Sequence, residues 1–370
     1  MPKAYNSVKK YIKLPKIIHI VGTNGKGSTG RFLAYILYKN GCSVGHYTSP
    51  HILRFNERVW LNGEDATDAI LEKAHQKLQL ILPKIYIETL SYFEYTTLLA
   101  AIVFERVDFA IFEAGLGGEF DATNVFEKRL SLITLIDFDH QAFLGNSIKE
   151  IAATKIRSIE KEAILGYQKH KEVIEIAKDI ANEKGAKLYQ IDEILSFEDK
   201  KKIEDFIEIK NFPPFFYQNL SLACLAAKIL KQRVDLNLLK EINIKGRMQK
   251  IAKNIIVDVG HNRAAAEAIV KALEKNVVLV YNSYEDKDYE EILKILKPKL
   301  EWVEIIDIDD ERAVNKEELK RVLKKLEIKY KDFDIKNINS DKTYLVFGSF
   351  KVAETFLKKT SKSDFEQKGE

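Results

Sequence analysis

The chain is poor in cysteine, has no long apolar run and carries almost no net charge. Each shortage closes off a class of protein. Two cysteines in 370 residues, Cys42 and Cys224, cannot build a disulfide framework and show no metal-ligand spacing. A reduced, cytoplasmic compartment is the expectation. No stretch approaches the ~18 apolar residues of a membrane span; LSLITLI and NVVLVY are of strand length. The opening MPKAYNSVKKYIK is basic but lacks the apolar core of a signal peptide. Lys and Arg number 59 against 55 Asp and Glu, so composition gives no reason for a nucleic-acid or membrane partner.

What is present is a chain long enough for two domains, each with a core of its own. Short apolar runs alternate with segments of helical spacing. KIIHIVG (16–22) reads as a buried strand and TGRFLAYILYKNG (29–41) as the helix after it, stopped by Asn40-Gly41. CSVGHYTS, VDFAIFEAG and LSLITLIDF read as further strands, with a helix over 92–106. This βαβ rhythm predicts an α/β fold with a parallel sheet, whose ligands gather beyond the carboxyl ends of the strands. FEDKKKIEDFIEIK (197–210) alternates weakly and suggests a solvated hairpin or edge, and NFPPFF precedes a helix over 217–232. The rhythm restarts around IKGRMQK, which predicts one domain over 1–244, a smaller α/β domain over 245–360 and a flexible tail over 361–370.

The sharpest motif is Gly22, Thr23, Asn24, Gly25, Lys26, Gly27 and Ser28, set between a strand and a helix. Its glycines permit a turn whose amides face a phosphate, the helix N-terminus adds partial positive charge, and Lys26 adds a full one. That is the pattern of a nucleoside triphosphate site. Where P-loop enzymes carry a Mg²⁺-binding Ser or Thr directly after the lysine, this chain has Gly27. The missing hydroxyl must come from elsewhere or be replaced by water. Ser28 is one candidate and Ser49, in Tyr47-Thr-Ser-Pro-His51, is another. Glu113 ends an apolar run before Ala-Gly-Leu-Gly-Gly, where a second-strand Mg²⁺ ligand of an NTPase belongs. Asp121-Ala-Thr-Asn124 continues that loop. His140, after LITLIDFD, is open to reading as a metal ligand or as a core histidine. Lys155 reads as a surface lysine. Arg247 and Asp258-Val-Gly-His261-Asn262 flank the domain boundary, where an Arg can reach a phosphate and an Asp can meet a ribose or orient the Arg.

Together these segments resemble the folylpolyglutamate synthase/dihydrofolate synthase family of the Mur ligase superfamily. The resemblance is carried by GTNGKGS (22–28), YTSPHILRFNERV (47–59), EAGLGGEFDATN (113–124), ITLIDFDHQAFLG (133–145) with Lys155, Gly246-Arg247-Met-Gln and DVGHN (258–262), in the family's order. It implies a P-loop NTPase-like parallel-sheet domain followed by a smaller Rossmann-like α/β domain, the Mur ligase central and C-terminal domains. It implies an ATP-dependent amide ligase that joins L-glutamate to dihydropteroate or a reduced folate through an acyl phosphate, with Mg²⁺ as cofactor. By the same resemblance the loop 22–28 with Lys26 is the phosphate cradle, and Ser49, Glu113 and His140 match Mg²⁺ ligands. Lys155 matches a lysine that the family carbamylates to help hold a second Mg²⁺. Asn219 matches an adenine-side asparagine, Arg247 and Asp258 match ATP contacts, and His261 lies beside the reaction centre. A monomer is the family's implication. Two segments depart from the family's pattern: Arg263 stands where proline usually follows His-Asn, and ATKIRSIEKEA replaces the commoner surroundings of the lysine.

The alternatives are another Mur-type amino-acid ligase and a P-loop nucleotide-binding protein without ligase activity. A cell-wall Mur ligase would place a UDP-binding domain before the P-loop, and the 21 residues ahead of Gly22 are too few to fold into one. A one-domain kinase would leave Arg247 and Asp258 without purpose.

Overall fold

β1, Lys16–Val21, is buried throughout after its first residue, as a central strand covered on both faces must be. In this computed structural model, which describes residues 1–362, it lies in the middle of an eight-stranded sheet. Its companions are β2 (Val44–Tyr47), β3 (Val59–Leu61), β4 (Glu64–Asp65), β5 (Phe109–Glu113), β6 (Leu130–Ile133), β7 (Glu162–Leu165) and β8 (Lys187–Gln190). The spatial order is β4-β3-β2-β5-β1-β6-β7-β8. All neighbours run parallel except β3 against β2 and β4 against β3. β5 and β6 thus flank β1, and the loops leaving all three emerge at one end of the sheet. Tyr47, Phe104, Phe112 and Phe126 fill the core under one face, beside the helix Tyr92–Val103. The helix Ile148–Ile156 packs Ile151, Ala152 and Ile156 into a second cluster with Val21 and Ile133.

The segment 197–210 is not the hairpin or edge that weak alternation suggested. Phe197–Ile209 is a helix, opened by a capping box in which Ser196 and Asp199 exchange side-chain and backbone hydrogen bonds. Its buried residues Ile203, Phe206 and Ile207 follow helical spacing, which a run of three lysines obscures in the sequence. The next helix, Phe215–Ile229, begins two residues earlier than expected, directly after Pro213-Pro214.

The chain divides into two compact units, the first Met1–Ile242 and the second starting at Asn243. The second holds a six-stranded sheet of β9 (Gln249–Ala252), β10 (Ile255–Val257), β11 (Val277–Tyr281), β12 (Leu300–Ile305), β13 (Tyr330–Asp332) and β14 (Tyr344–Phe347). Its order is β13-β12-β11-β14-β10-β9, parallel but for the edge strand β9. Helices such as Lys316–Lys325 bury one stripe, here Leu319, Val322 and Leu323, and keep charge elsewhere. The closing helix extends through Lys362, two residues into the expected tail, and residues 363–370 lie outside the described residues. Among the described residues no helix is long and apolar enough to cross a membrane.

Candidate active site

The loop after β1 is held tightly by the loop after β6. The amides of Thr23 and Asn24 both donate to Leu135 O, at 2.8 and 3.2 Å. Thr23 Oγ1 donates to Asp137 O at 2.9 Å and accepts from Asp137 N at 3.1 Å. Gly22 has φ +148°, and a Cβ there would stand 1.9 Å from Thr134 Oγ1. Gly25, at φ +89°, is equally closed, because its Cβ would lie 2.4 Å from Asn219 Oδ1. Asn219 therefore reaches the loop from the helix Phe215–Ile229. The helix Lys26–Lys39 starts at the loop's lysine, and its first-turn amides have no acceptor within their own helix. The amides at 23 and 24, by contrast, are engaged by Leu135 O.

Lys26 Nζ donates to Gly22 O at 3.1 Å and to Thr23 O at 3.4 Å. Lys155, expected at the surface, is 3% exposed and its Nζ donates to the same Gly22 O at 3.0 Å. Burial pushes its ammonium down to about 7; Lys26 adds repulsion, while Asp139 and Asp121 oppose the shift. Two lysines thus converge on one loop carbonyl. Lys155 is also tied to the Gly-rich loop after β5, where a Cβ on Gly118 would come within 2.4 Å of Lys155 O.

Glu113, at the end of β5, is buried and accepts a short hydrogen bond from Thr48 Oγ1. The register that sets Tyr47 opposite Phe112 brings these next residues side by side. Both face Gly27: a Cβ there would stand 3.4 Å from Thr48 Oγ1 and 3.5 Å from Glu113 Oε2. Ser28 Oγ and Thr29 Oγ1 are buried without a hydrogen-bond partner among the described residues. An orphaned hydroxyl and a buried carboxylate around the start of a helix suit a phosphate with a hard, oxygen-preferring cation. The donor set therefore fits Mg²⁺. Thr48 is not singled out by the sequence, since its pairing with Glu113 arises from strand register and leaves no local motif. Ser49 follows it in a cis peptide with Pro50. His140 sits at the N-cap of a short helix with φ +52°, its amide bonded to Asp139 Oδ1 at 2.9 Å.

Asp121 is an internal brace. Its Oδ2 accepts from Leu116 N and its Oδ1 from Thr123 N, both at 2.9 Å, so the loop 115–123 folds back on itself. Burial raises its pKa against those hydrogen bonds.

In the second unit Asp258 is fully engaged by backbone. Its Oδ1 accepts from Gly260 N at 2.7 Å and its Oδ2 from Met248 N at 2.9 Å. Burial raises its pKa, and the Arg247 charge opposes the rise. The Arg247 guanidinium stands over the Phe350 ring at 5.7 Å. His261 Nδ1 lies 3.2 Å from Val259 O, and Asn262 caps the helix Arg263–Ala272 through Ala265 N.

Residues 246–350 match the family model described as Mur ligase, glutamate ligase domain. Along the whole chain, the dihydrofolate synthase/folylpolyglutamate synthase of Buchnera aphidicola is 31% identical, over 92% of this chain and 88% of that protein. The chain belongs to the dihydrofolate synthase/folylpolyglutamate synthase family. It is an ATP-dependent ligase of the Mur ligase fold. The Helicobacter pylori folylpolyglutamate synthetase structure is 38% identical with a TM-score of 0.77, covering 98% of this chain and 93% of that one. The Escherichia coli FolC structure in complex with DHPP and ADP is 27% identical with a TM-score of 0.80, covering 97% of this chain and 92% of that one. In family terms the loop 22–28, Glu113, Lys155 and Asn219 lie together in the first unit, and Arg247, Asp258 and His261 belong to the second.

Proposed function

We propose that this enzyme joins L-glutamate to dihydropteroate, to reduced folates, or to both, with ATP converted to ADP and phosphate. The acceptor carboxylate attacks the γ-phosphorus and ADP leaves. The glutamate nitrogen then attacks the acyl carbon of the acyl phosphate and loses a proton, and inorganic phosphate departs as the amide forms. The observation that carries this reading is the convergence on one loop of Lys26, Lys155 and the Thr48–Glu113 pair.

Two anions meet in the first step, so the approach has to be neutralised. Lys26 and the first-turn amides of its helix do this from the protein side. A divalent cation bound with ATP would spread the remaining phosphate charge. We assign its protein ligands to Ser49, Glu113 and His140, and Lys155, as a carbamate, to a second Mg²⁺. Support for the last assignment is the depressed pKa of Lys155, near 7, because only the uncharged amine adds to carbon dioxide. Asn219, Arg247 and Asp258 are assigned to ATP and His261 to the neighbourhood of the reacting carbonyl. We assign residues 1–244 as the ATP-binding domain and 245–360 as the Mur ligase C-terminal-type domain. A reduced, cytoplasmic setting accords with two free cysteines.

The deciding experiment is ADP release from MgATP with L-glutamate, offering dihydropteroate and tetrahydrofolate in separate reactions. Turnover with both makes the enzyme bifunctional, and turnover with one assigns it to that step. ADP release with neither, in protein that binds ATP, would remove the folate reading. Lys26→Ala is expected to abolish glutamate-dependent ADP formation with the fold intact; wild-type turnover would refute the phosphate cradle.

A further inference from the structure

A P-loop enzyme normally takes one cation ligand from the Ser or Thr after its lysine and another from an acid at the end of a neighbouring strand. This chain keeps the acid, Glu113, and has glycine at the first position. The space beside Gly27 is nevertheless not empty of hydroxyl. Thr48 Oγ1 lies 3.4 Å from where a Gly27 Cβ would be, and it donates to Glu113 Oε2. A Cβ at position 27 would be in ordinary contact with both groups.

We infer that Thr48, at the end of β2, is a positioning residue whose hydroxyl holds the Glu113 carboxylate for the cation, next to the Ser49 ligand assigned above. The inference rests on the ATP and divalent-cation reading given above. Its geometric basis is independent of motif. Thr48 is fixed by the β2–β5 register and by its own amide, which donates to Arg58 O at 2.9 Å. The buried carboxylate is thereby set in direction. A carboxylate oriented in this way loses little freedom when a cation arrives, which is how outer-shell partners raise metal affinity.

The test uses the full chain with Mn²⁺ and a non-hydrolysable ATP analogue, free Mn²⁺ being read by its paramagnetic resonance signal. Thr48→Ser should bind Mn²⁺ like the wild type. Thr48→Val, which keeps the shape and removes the hydroxyl, should bind about ten- to a hundredfold more weakly, the range seen for lost outer-shell partners. Thermal melts of both variants check the fold. The swap Thr48→Ala with Gly27→Ser returns a hydroxyl to the same space from the other side. It should bind Mn²⁺ more tightly than Thr48→Ala alone. Wild-type Mn²⁺ affinity in Thr48→Val overturns the inference while leaving the nucleotide site standing. Equal loss in Thr48→Ser and Thr48→Val overturns it too, and so does a double variant no better than Thr48→Ala. A wild-type chain that binds no Mn²⁺ with the nucleotide would instead bring down the functional reading itself.

Discussion

Lys155 is a buried charge whose burial opposes stability. Its folded pKa, near 7, lies below the ordinary value of 10.5, so between these limits the unfolded chain holds a proton that the native one has lost. Stability should therefore rise as pH goes from about 7 to 10.5, and the full penalty should apply below 7. Lys155→Met is expected to abolish turnover yet keep or raise the thermal midpoint at pH 7, with a flatter profile above it. A clear fall in midpoint would show that the bond to Gly22 O outweighs the cost of burial. Two buried histidines act at the acid end. Burial, then the nearby Lys128, holds His19 down to about 3, and burial with Arg31 holds His46 well below 6.5. Both imidazoles stay neutral in the native state, so their contribution is complete above pH 6.5 and is lost as pH falls toward the folded values. His46 has neither ring nitrogen hydrogen-bonded among the described residues, so His46→Leu should reduce the acid sensitivity of the urea midpoint. Trp60 fluorescence in a Trp302→Phe background reports that midpoint for the first unit alone. An unchanged acid slope would count against this origin.

Among the elements, what could be read from sequence depended on how local the signal was. β1, the helix after it and the strand ending at Glu113 announce themselves through continuous apolar runs bounded by glycines. In the helix Phe197–Ile209 weak alternation masks the helical period, and the cap is the clearer signal. Ser196, three residues before Asp199, was the available signal. Ser196→Ala should cost about 1 kcal/mol of first-unit stability, measured by the same urea titration; no change would mean that packing of Phe206 alone fixes the helix. β3 and β4 form a hairpin too short for periodicity to show. Its Asn62-Gly63 turn, both residues at positive φ, is a strong short-range hairpin cue. The site was legible as motifs and not as contacts. Lys155 reads as a surface residue in an amphipathic helix, and only the approach of that helix to the loops after β1 and β5 buries its amine. Thr48 is likewise invisible until β2 and β5 are set in register.

Across the whole molecule, each of the two units has its own sheet and its own apolar cluster. The second, from Asn243 on, should fold when expressed alone, giving a single cooperative thermal transition by circular dichroism; a featureless melt would show that it depends on the first. The Mur-type two-unit plan was readable because the βα rhythm stops and restarts, whereas edge strands such as β9 and β13 are too short and polar to register in a periodicity. The closed spaces at Gly22 and Gly25 bear on the gene as much as on the fold. Every missense change in a glycine codon adds a Cβ, and at these two positions that carbon meets Thr134 or Asn219 well inside contact distance. No first mutational step away from these codons is conservative. A library of gene variants selected for growth on the enzyme's product should return only synonymous changes at 22 and 25, while Gly41 and Gly185, which face open space, should still admit replacements such as asparagine.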